Sequence, residues 1–267
     1  MNFTKIGFIG CGKMGSALAG CADKEGRTLY FSNRSPQKAE ALAEKLGGIK
    51  TDNLTVAETC NLIVLAVKPQ MMKKVLPALA DTLAKRKDHF VILSIVAAYT
   101  IERIQELLGG DYPVIRTNPN TAVIVGKGIT LVADKNVTED ERKEFMEIFR
   151  SSGSFDEIDE HLMAAATVPA GCGPAFVYTF IDAMADGAVA IGVPRQKARE
   201  YAAEVCKGAA ELYLQTKEHP GQLKDDVCSP GGTTIQGIRA LEKGGLRSAV
   251  IEAVIAAYEK TAELAKK

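Results

Sequence analysis

Two short stretches place chemistry-bearing groups at defined spacings. Gly10-Cys11-Gly12-Lys13-Met14-Gly15 sets three glycines at G-x-G-x-x-G spacing, directly after the apolar run KIGFI and before an amphipathic segment. In that order the first glycine makes a tight turn, the second lets backbone approach a pyrophosphate, and the third lets the next helix lie close to the strand. The free amides of that helix's first turn then face the anion. The second stretch, VCSPGGTTIQG at Val227–Gly237, breaks an otherwise helical region rich in Ala, Glu and Lys. Ser229, Gly231, Gly232, Thr233 and Thr234 combine hydroxyls with bare backbone where the next helix begins. A helix start of that kind holds an anion without a charged side chain.

The glycine loop points to a dinucleotide, and the end of the second strand indicates which one. NAD binders use a carboxylate there for the ribose 2′-hydroxyl. Here the sequence is Ser32-Asn33-Arg34-Ser35, with no acid. Hydroxyl, amide and guanidinium suit a 2′-phosphate that a carboxylate would repel, so NADPH is expected ahead of NADH, with NADH also admitted. Lys68 and Pro69 follow the strand NLIVLAV, at the edge where open α/β sheets bind ligands, and Ser94–Ala98 after FVILSIV would form the neighbouring wall.

The elements that must position these groups fall into two halves. Up to about residue 159, strands alternate with helices. KIGFIG, TLYFS, NLIVLAV, FVILSIV, YPVIRT, GITLVAD and a last run near Gly153–Ile158 read as strands. Helices are expected over Met14–Glu25, Gln37–Leu46, VLPALADTLAKR, TIERIQELLGG and Glu139–Phe149. Ser35-Pro36 is a helix start with the hydroxyl as cap, and Thr138–Glu141 is a capping box. Alternation with short links implies a mostly parallel, doubly wound sheet. From residue 160 to 267 strand signals vanish. Ala-rich amphipathic segments follow that look too apolar to be surface helices, which predicts a helical domain that buries part of itself on a second subunit.

Composition narrows the function classes. Thirty-three basic residues balance thirty-three acidic ones and there is no Trp, which argues against a nucleic-acid or anionic-membrane surface. No apolar run is expected to reach spanning length, because Phe176–Val193 contains Asp182 and Asp186. Six scattered cysteines without a CxxC pair read as reduced thiols of a cytoplasmic protein. His89, His161 and His219 have no partners at ligand spacing, and no metal site is expected.

Taken together, GFIGCGKMG, AVKP (66–69), SIVAA, RTNPNTAVIVGKG (116–128), AGCGPAF (170–176) and HPGQLKDDVCSPGGTTIQGIRALEKGGLRSAV (219–250) resemble the pyrroline-5-carboxylate reductase family over nearly the whole chain. The segment around Ser229-Pro-Gly-Gly-Thr-Thr is the most specific. The resemblance implies a Rossmann-like domain followed by an all-helical dimerisation domain that interlocks with a partner, and dimers that assemble into larger rings. It implies cofactor contacts at Ile9, Gly10, Cys11, Gly12, Lys13, Met14, Ser32, Asn33, Arg34, Asn53, Ala66, Val67, Lys68, Pro69, Ile95, Val96 and Ala97. Substrate contacts fall on Ser229, Gly231, Gly232, Thr233 and Thr234. The sequence departs from the family pattern at Ala98 (usually Gly), Asn118 (usually Met), Ala122 (usually Pro), and Ala170 and Cys172 (usually Ser).

The implied reaction is hydride transfer to the imine carbon of Δ1-pyrroline-5-carboxylate, giving L-proline. These motifs hold no evident His or Lys proton donor, which an imine substrate explains. A cyclic imine is protonated in solution or on binding, so the protein mainly orients the reactants and anchors the carboxylate. Thr234 is the candidate to hydrogen-bond the ring nitrogen; its bland alternative is a helix-capping threonine. Competing readings are a β-hydroxyacid dehydrogenase, a deazaflavin reductase and a non-catalytic NADPH sensor. The first would need a Lys soon after Gly171-Cys-Gly173, and no Lys occurs before Arg195. The sensor would not need the 227–237 break, and the helical C-terminal half has no reason to match a deazaflavin reductase.

Overall fold

The computed structural model describes residues 3–265. Its strands are β1 (Lys5–Ile9), β2 (Thr28–Ser32), β3 (Ile49–Lys50), β4 (Leu62–Leu65), β5 (Val91–Ser94), β6 (Val114–Pro119), β7 (Gly128–Lys135) and β8 (Gly153–Glu157). They form one sheet in the order β3-β2-β1-β4-β5-β6-β7-β8. Every neighbouring pair is parallel except β6 with β7. That one reversal is made by a 3-10 turn at Thr121–Val125, closed by Gly126 at φ 68°. The helices between strands are α1 (Lys13–Cys21), α2 (Pro36–Leu46), α3 (Asn53–Thr59), α4 (Met72–Ala84), α5 (Ile101–Leu108) and α6 (Glu139–Ile148); α7 (Met163–Thr167) follows the last strand.

Alternation along β1 explains why the sheet is covered on both faces. Ile6 and Phe8 enter one core with Leu18, Phe31, Phe145 and Phe149, whereas Ile9 enters the other with Ile63, Leu65, Leu76 and Ile92. Each such side chain contributes about 1.5–3 kcal/mol on burial. Gly7 is required where α3 crosses: a Cβ there would lie 2.4 Å from Val56 Cγ1 and 2.6 Å from Cys60 Sγ.

Several boundaries differ from the sequence reading. The first helix ends at Cys21, not Glu25, because Ala22 is already extended. The fourth helix starts early, at Met72, and carries Pro77 on its exposed side. β3 and α3 were not expected; α3 is started by Asp52, whose side chain accepts from Thr55 N at 2.8 Å. The capping box forms as read, with Glu141 N donating to Thr138 Oγ1 at 3.3 Å and Thr138 N donating to Glu141 Oε2 at 2.8 Å. Ser35 does sit at the start of α2 with Pro36 behind it, but its hydroxyl makes no capping bond.

The described residues up to Cys172, with those from Tyr258 on, form one compact unit, and Gly173–Ala257 forms the other. The helical unit contains α8 (Gly173–Ala190), α9 (Arg195–Thr216), α10 (Pro220–Asp226), α11 (Thr233–Lys243) and most of α12 (Leu246–Ala265). α8 and α9 pack through Ala185, Ala198 and Ala202, whose small side chains let the helices approach closely. One expectation is corrected here. Helical turns run without a break from Glu160 to Ala190, 31 residues long and apolar enough to reach spanning length by length and composition alone, because the helix starts well before the apolar stretch read from sequence. Both of its central acids are paired within the helical unit: Asp186 with Arg195, and Asp182 with Arg199 at 3.7 Å.

Candidate active site

The glycine loop leaves β1 at its carboxyl end. Gly10 has φ 114°, and a Cβ there would sit 2.5 Å from Ala66 O and 2.9 Å from Val67 N. Only glycine allows both that backbone and that approach to the end of β4. A Cβ on Gly15 would lie 2.4 Å from Gly10 O, so α1 is drawn onto the loop. Gly12 meets nothing within 4 Å; it precedes α1, whose start carries no side-chain cap. The loop is thus a cradle that side chains would fill, open at the point where the helix amides emerge. Lys13 is exposed and Met14 half-buried beside it. Cys11 is buried, its N–H donates to Asn33 Oδ1 at 3.1 Å, and burial pushes its thiol up to about 11.

The end of β2 is tied to this loop. Gly10 N donates to Ser32 O at 2.8 Å, and Ser32 Oγ donates to Asn53 Oδ1 at 2.6 Å. Asn33 Nδ2 donates to Ser35 O at 3.0 Å, which fixes the amide so that its oxygen faces the loop. Arg34 is exposed and makes no ion pair with any described residue, so its guanidinium is available to an anion. Ala66–Pro69 emerge from β4 beside the loop: Ala66 N donates to Ile9 O at 2.9 Å, and Pro69 opens a 3-10 turn in which Met71 N bonds Lys68 O at 2.8 Å. Lys68 is exposed. At the end of β5, Ile95 N donates to Leu65 O at 3.1 Å, and Ala97 is exposed. All seventeen positions expected to hold a dinucleotide therefore lie along the loop or at the carboxyl ends of β1, β2, β4 and β5, with Asn53 opening α3. The side chains of Ile9, Cys11 and Val96 are in the core, so these three offer only backbone.

Ala98, next in the chain, stands at φ 65°. The family's usual glycine is the residue that this left-handed backbone favours, so the alanine is strained. Asn118 and Asn120, which the sequence reading assigned no role, act at the end of β6. Asn118 Nδ2 donates to Thr167 Oγ1 at 2.6 Å and Asn120 Nδ2 to Ala170 O at 3.0 Å, holding the π-helical turn Val168–Cys172. The two amides flanking Pro119 after an apolar strand were the signal.

The residues expected on the substrate side lie in the helical unit. α10 stops at Asp226, and Val227–Gly232 link it to α11. Gly232 N donates to Ser229 O at 3.0 Å, and Gly231 turns the chain at φ 69°. A Cβ on Gly232 would lie 2.4 Å from Ser229 Oγ. Gly232 itself caps α11, without a side-chain bond, and Thr233 and Thr234 are the first two helical residues. Both are exposed, and among the described residues neither hydroxyl is engaged in a hydrogen bond. The reading of Thr234 as a capping threonine is therefore set aside: the hydroxyls and the amides of the first turn all remain free. Among the described residues no group of three or more His, Cys, Asp or Glu is placed to hold a metal ion.

Comparison with known proteins bears on the family and the fold. A family model described as pyrroline-5-carboxylate reductase dimerisation matches residues 160–264, and one described as NADP oxidoreductase, coenzyme F420-dependent, matches residues 5–98. Pyrroline-5-carboxylate reductase from Escherichia coli is 41% identical, with 98% of each chain covered. The chain belongs to the pyrroline-5-carboxylate reductase family. Among solved structures, the Coxiella burnetii reductase superposes with a TM-score of 0.88 at 31% identity, covering 98% of this chain and 99% of that one. A Plasmodium falciparum pyrroline carboxylate reductase, solved with NADP bound, gives 0.84 at 33% identity with 98% of each chain covered. The deazaflavin-type match stops at residue 98, inside the sheet unit, and the reductase match covers the helices.

Proposed function

We propose that this chain reduces Δ1-pyrroline-5-carboxylate to L-proline, the last step of proline biosynthesis, with NADPH preferred over NADH. The observation that carries the reading is the pair of prepared anion sites: a glycine cradle with a free Arg34 at the end of β2, and an uncapped helix start at Gly232–Thr234 with free hydroxyls. NADPH, when bound, supplies the hydride that adds to the imine carbon. Gly10–Met14 hold its pyrophosphate, Ser32, Asn33 and Arg34 its 2′-phosphate, with Asn53, Ala66–Pro69 and Ile95–Ala97 around the rest. Ser229, Gly231, Gly232 and Thr233 receive the substrate carboxylate. Thr234, beside them, hydrogen-bonds the ring nitrogen, which already carries its proton in the iminium form. The protein supplies orientation and an electropositive seat, for which no buried acid or base is needed.

The family's dimerisation region fits self-association of the helical unit. A groove of about 440 Å³ lined by Ile238, Leu241, Leu246, Val250 and Ile251 lies open on it, and a second copy is its occupant, as a dimer or a higher ring. All six cysteines are free thiols, which suits a cytoplasmic location. The decisive test mixes purified protein, NADPH and chemically prepared pyrroline-5-carboxylate and follows the loss of cofactor absorbance. Turnover with formation of proline is expected; its absence across neutral pH sinks the proposal.

A further inference from the structure

We infer that His219 is a positioning residue for the reaction, its neutral imidazole holding α10 and, through it, the anion socket that begins at Val227. The inference rests on the assignment of residues 229–234 to the imine carboxylate. Gly221 N donates to His219 Nδ1 at 3.0 Å, so Nδ1 carries a lone pair and the ring proton lies on Nε2. The ring fits there because residue 221 is glycine: a Cβ would stand 2.9 Å from Nδ1 and 3.2 Å from Cε1. Pro220 has no N–H to satisfy, and Gln222 N donates to His219 O at 2.8 Å. One residue thus meets the amides of Gly221 and Gln222 in the helix's opening turn, by side chain and by carbonyl.

α10 depends on that cap more than the other long-range elements of the helical unit do. It has seven residues, too few to be stable by propensity alone, and none of them is buried within the chain. Apart from the cap, its side-chain support is a Gln222 Nε2 to Asp226 Oδ1 bond of 2.7 Å and an ion pair between the neighbouring Lys224 and Asp225. Its last turn passes straight into the socket, with Cys228 N bonded to Asp225 O at 2.9 Å and Gly232 N to Ser229 O at 3.0 Å. Fraying at the cap loosens the amino-terminal wall of the turn that must hold its amides convergent. α11, by contrast, has eleven residues and an amphipathic face of its own.

The test is steady-state kinetics on the full-length protein. His219→Ala should raise KM for pyrroline-5-carboxylate about five-fold, the usual worth of a helix cap, with kcat and the NADPH KM changed less than two-fold. His219→Asn, whose side-chain oxygen accepts the same amide, should restore the wild-type KM. Gly221→Ala, which crowds the ring, should behave like His219→Ala. In nitrogen NMR of the wild type, the Nδ1 signal should report the hydrogen bond accepted from the Gly221 amide. Far-UV circular dichroism and melting of each variant separate a loosened socket from a failed fold. If the Ala and Asn variants behave alike, or the KM for NADPH rises in step with that for the imine, the positioning role is wrong. Thr234→Ala serves as the control: should it alter imine kinetics while His219→Ala does not, only the positioning role fails. If Thr234→Ala and His219→Ala both leave imine kinetics unchanged, the socket assignment falls and the inference with it.

Discussion

Phe8 and Ala185 mark a difference between the two compact units. Phe8 is fully buried in a core that also encloses Phe3, Phe31, Phe145 and Phe149, and a second core covers the opposite face of the sheet. In the helical unit the buried side chains are three alanines, while Tyr178, Ile191, Tyr201, Val205 and Ile251 stand 57–84% exposed. The sheet unit meets its burial requirement inside one chain. The helical unit leaves a large apolar surface exposed, as suits a region matched by a dimerisation family model, and its stability would be tied to association if a second copy covers that surface. The positions proposed to hold cofactor therefore sit on a self-sufficient scaffold, whereas those proposed to hold substrate sit on one that leaves its apolar faces open.

The largest effect should come from breaking that association. Val205→Glu with Leu212→Glu, seven residues apart on one exposed face of α9, should convert the assembly to monomers in sedimentation and lower turnover at least about 100-fold. NADPH binding to the sheet unit should survive, and an unchanged mass would show that this face is not at the interface. Next in size, Gly10→Ala should cost about 3 kcal/mol in the sheet unit and abolish cofactor binding, because the new methyl meets the Ala66 carbonyl. Calorimetry and fluorescence titration measure the two losses; association of the helices should be untouched. Arg34→Ala should weaken NADPH about 10–100-fold and NADH less than about three-fold, and equal losses would refute the 2′-phosphate reading. Smallest of all, Ala98→Gly should stabilise the sheet unit by about 0.5 kcal/mol, the left-handed strain relieved less the flexibility glycine adds to the unfolded chain. A lower melting temperature would contradict that account.

What sequence could reveal follows the same division. β1, its loop and α1 were legible because alternation, glycine spacing and helix periodicity agree over adjacent residues. β3 and α3 were not, since two residues show no period and the start of α3 is a single Asp52. Helices beyond Glu160 were legible as helices, because Ala-rich segments are locally committed. What covers their exposed apolar faces was not, because a single chain's sequence does not encode the surface of a second copy. Within the site, the glycines gave themselves away by type. Asn33 did so only through its place after β2, and its bond to Cys11 N depends on a fold that spacing does not encode. His219 escaped notice for a different reason: histidine is uncommon as a helix cap, and only the geometry shows its nitrogen on the Gly221 amide.

The thiol of Cys11 has a consequence for how this protein ages. It lies within a loop shaped to attract negative charge, yet burial pushes its thiol well above the ordinary cysteine range, so the thiolate is scarce there. Peroxides and alkylating agents attack the thiolate, and the sulfur offers them almost none. The glycine loop can thus keep a cysteine through oxidative episodes that would consume a less buried one, and chemical wear should reach the half-buried thiols of Cys21, Cys172, Cys206 and Cys228 before it.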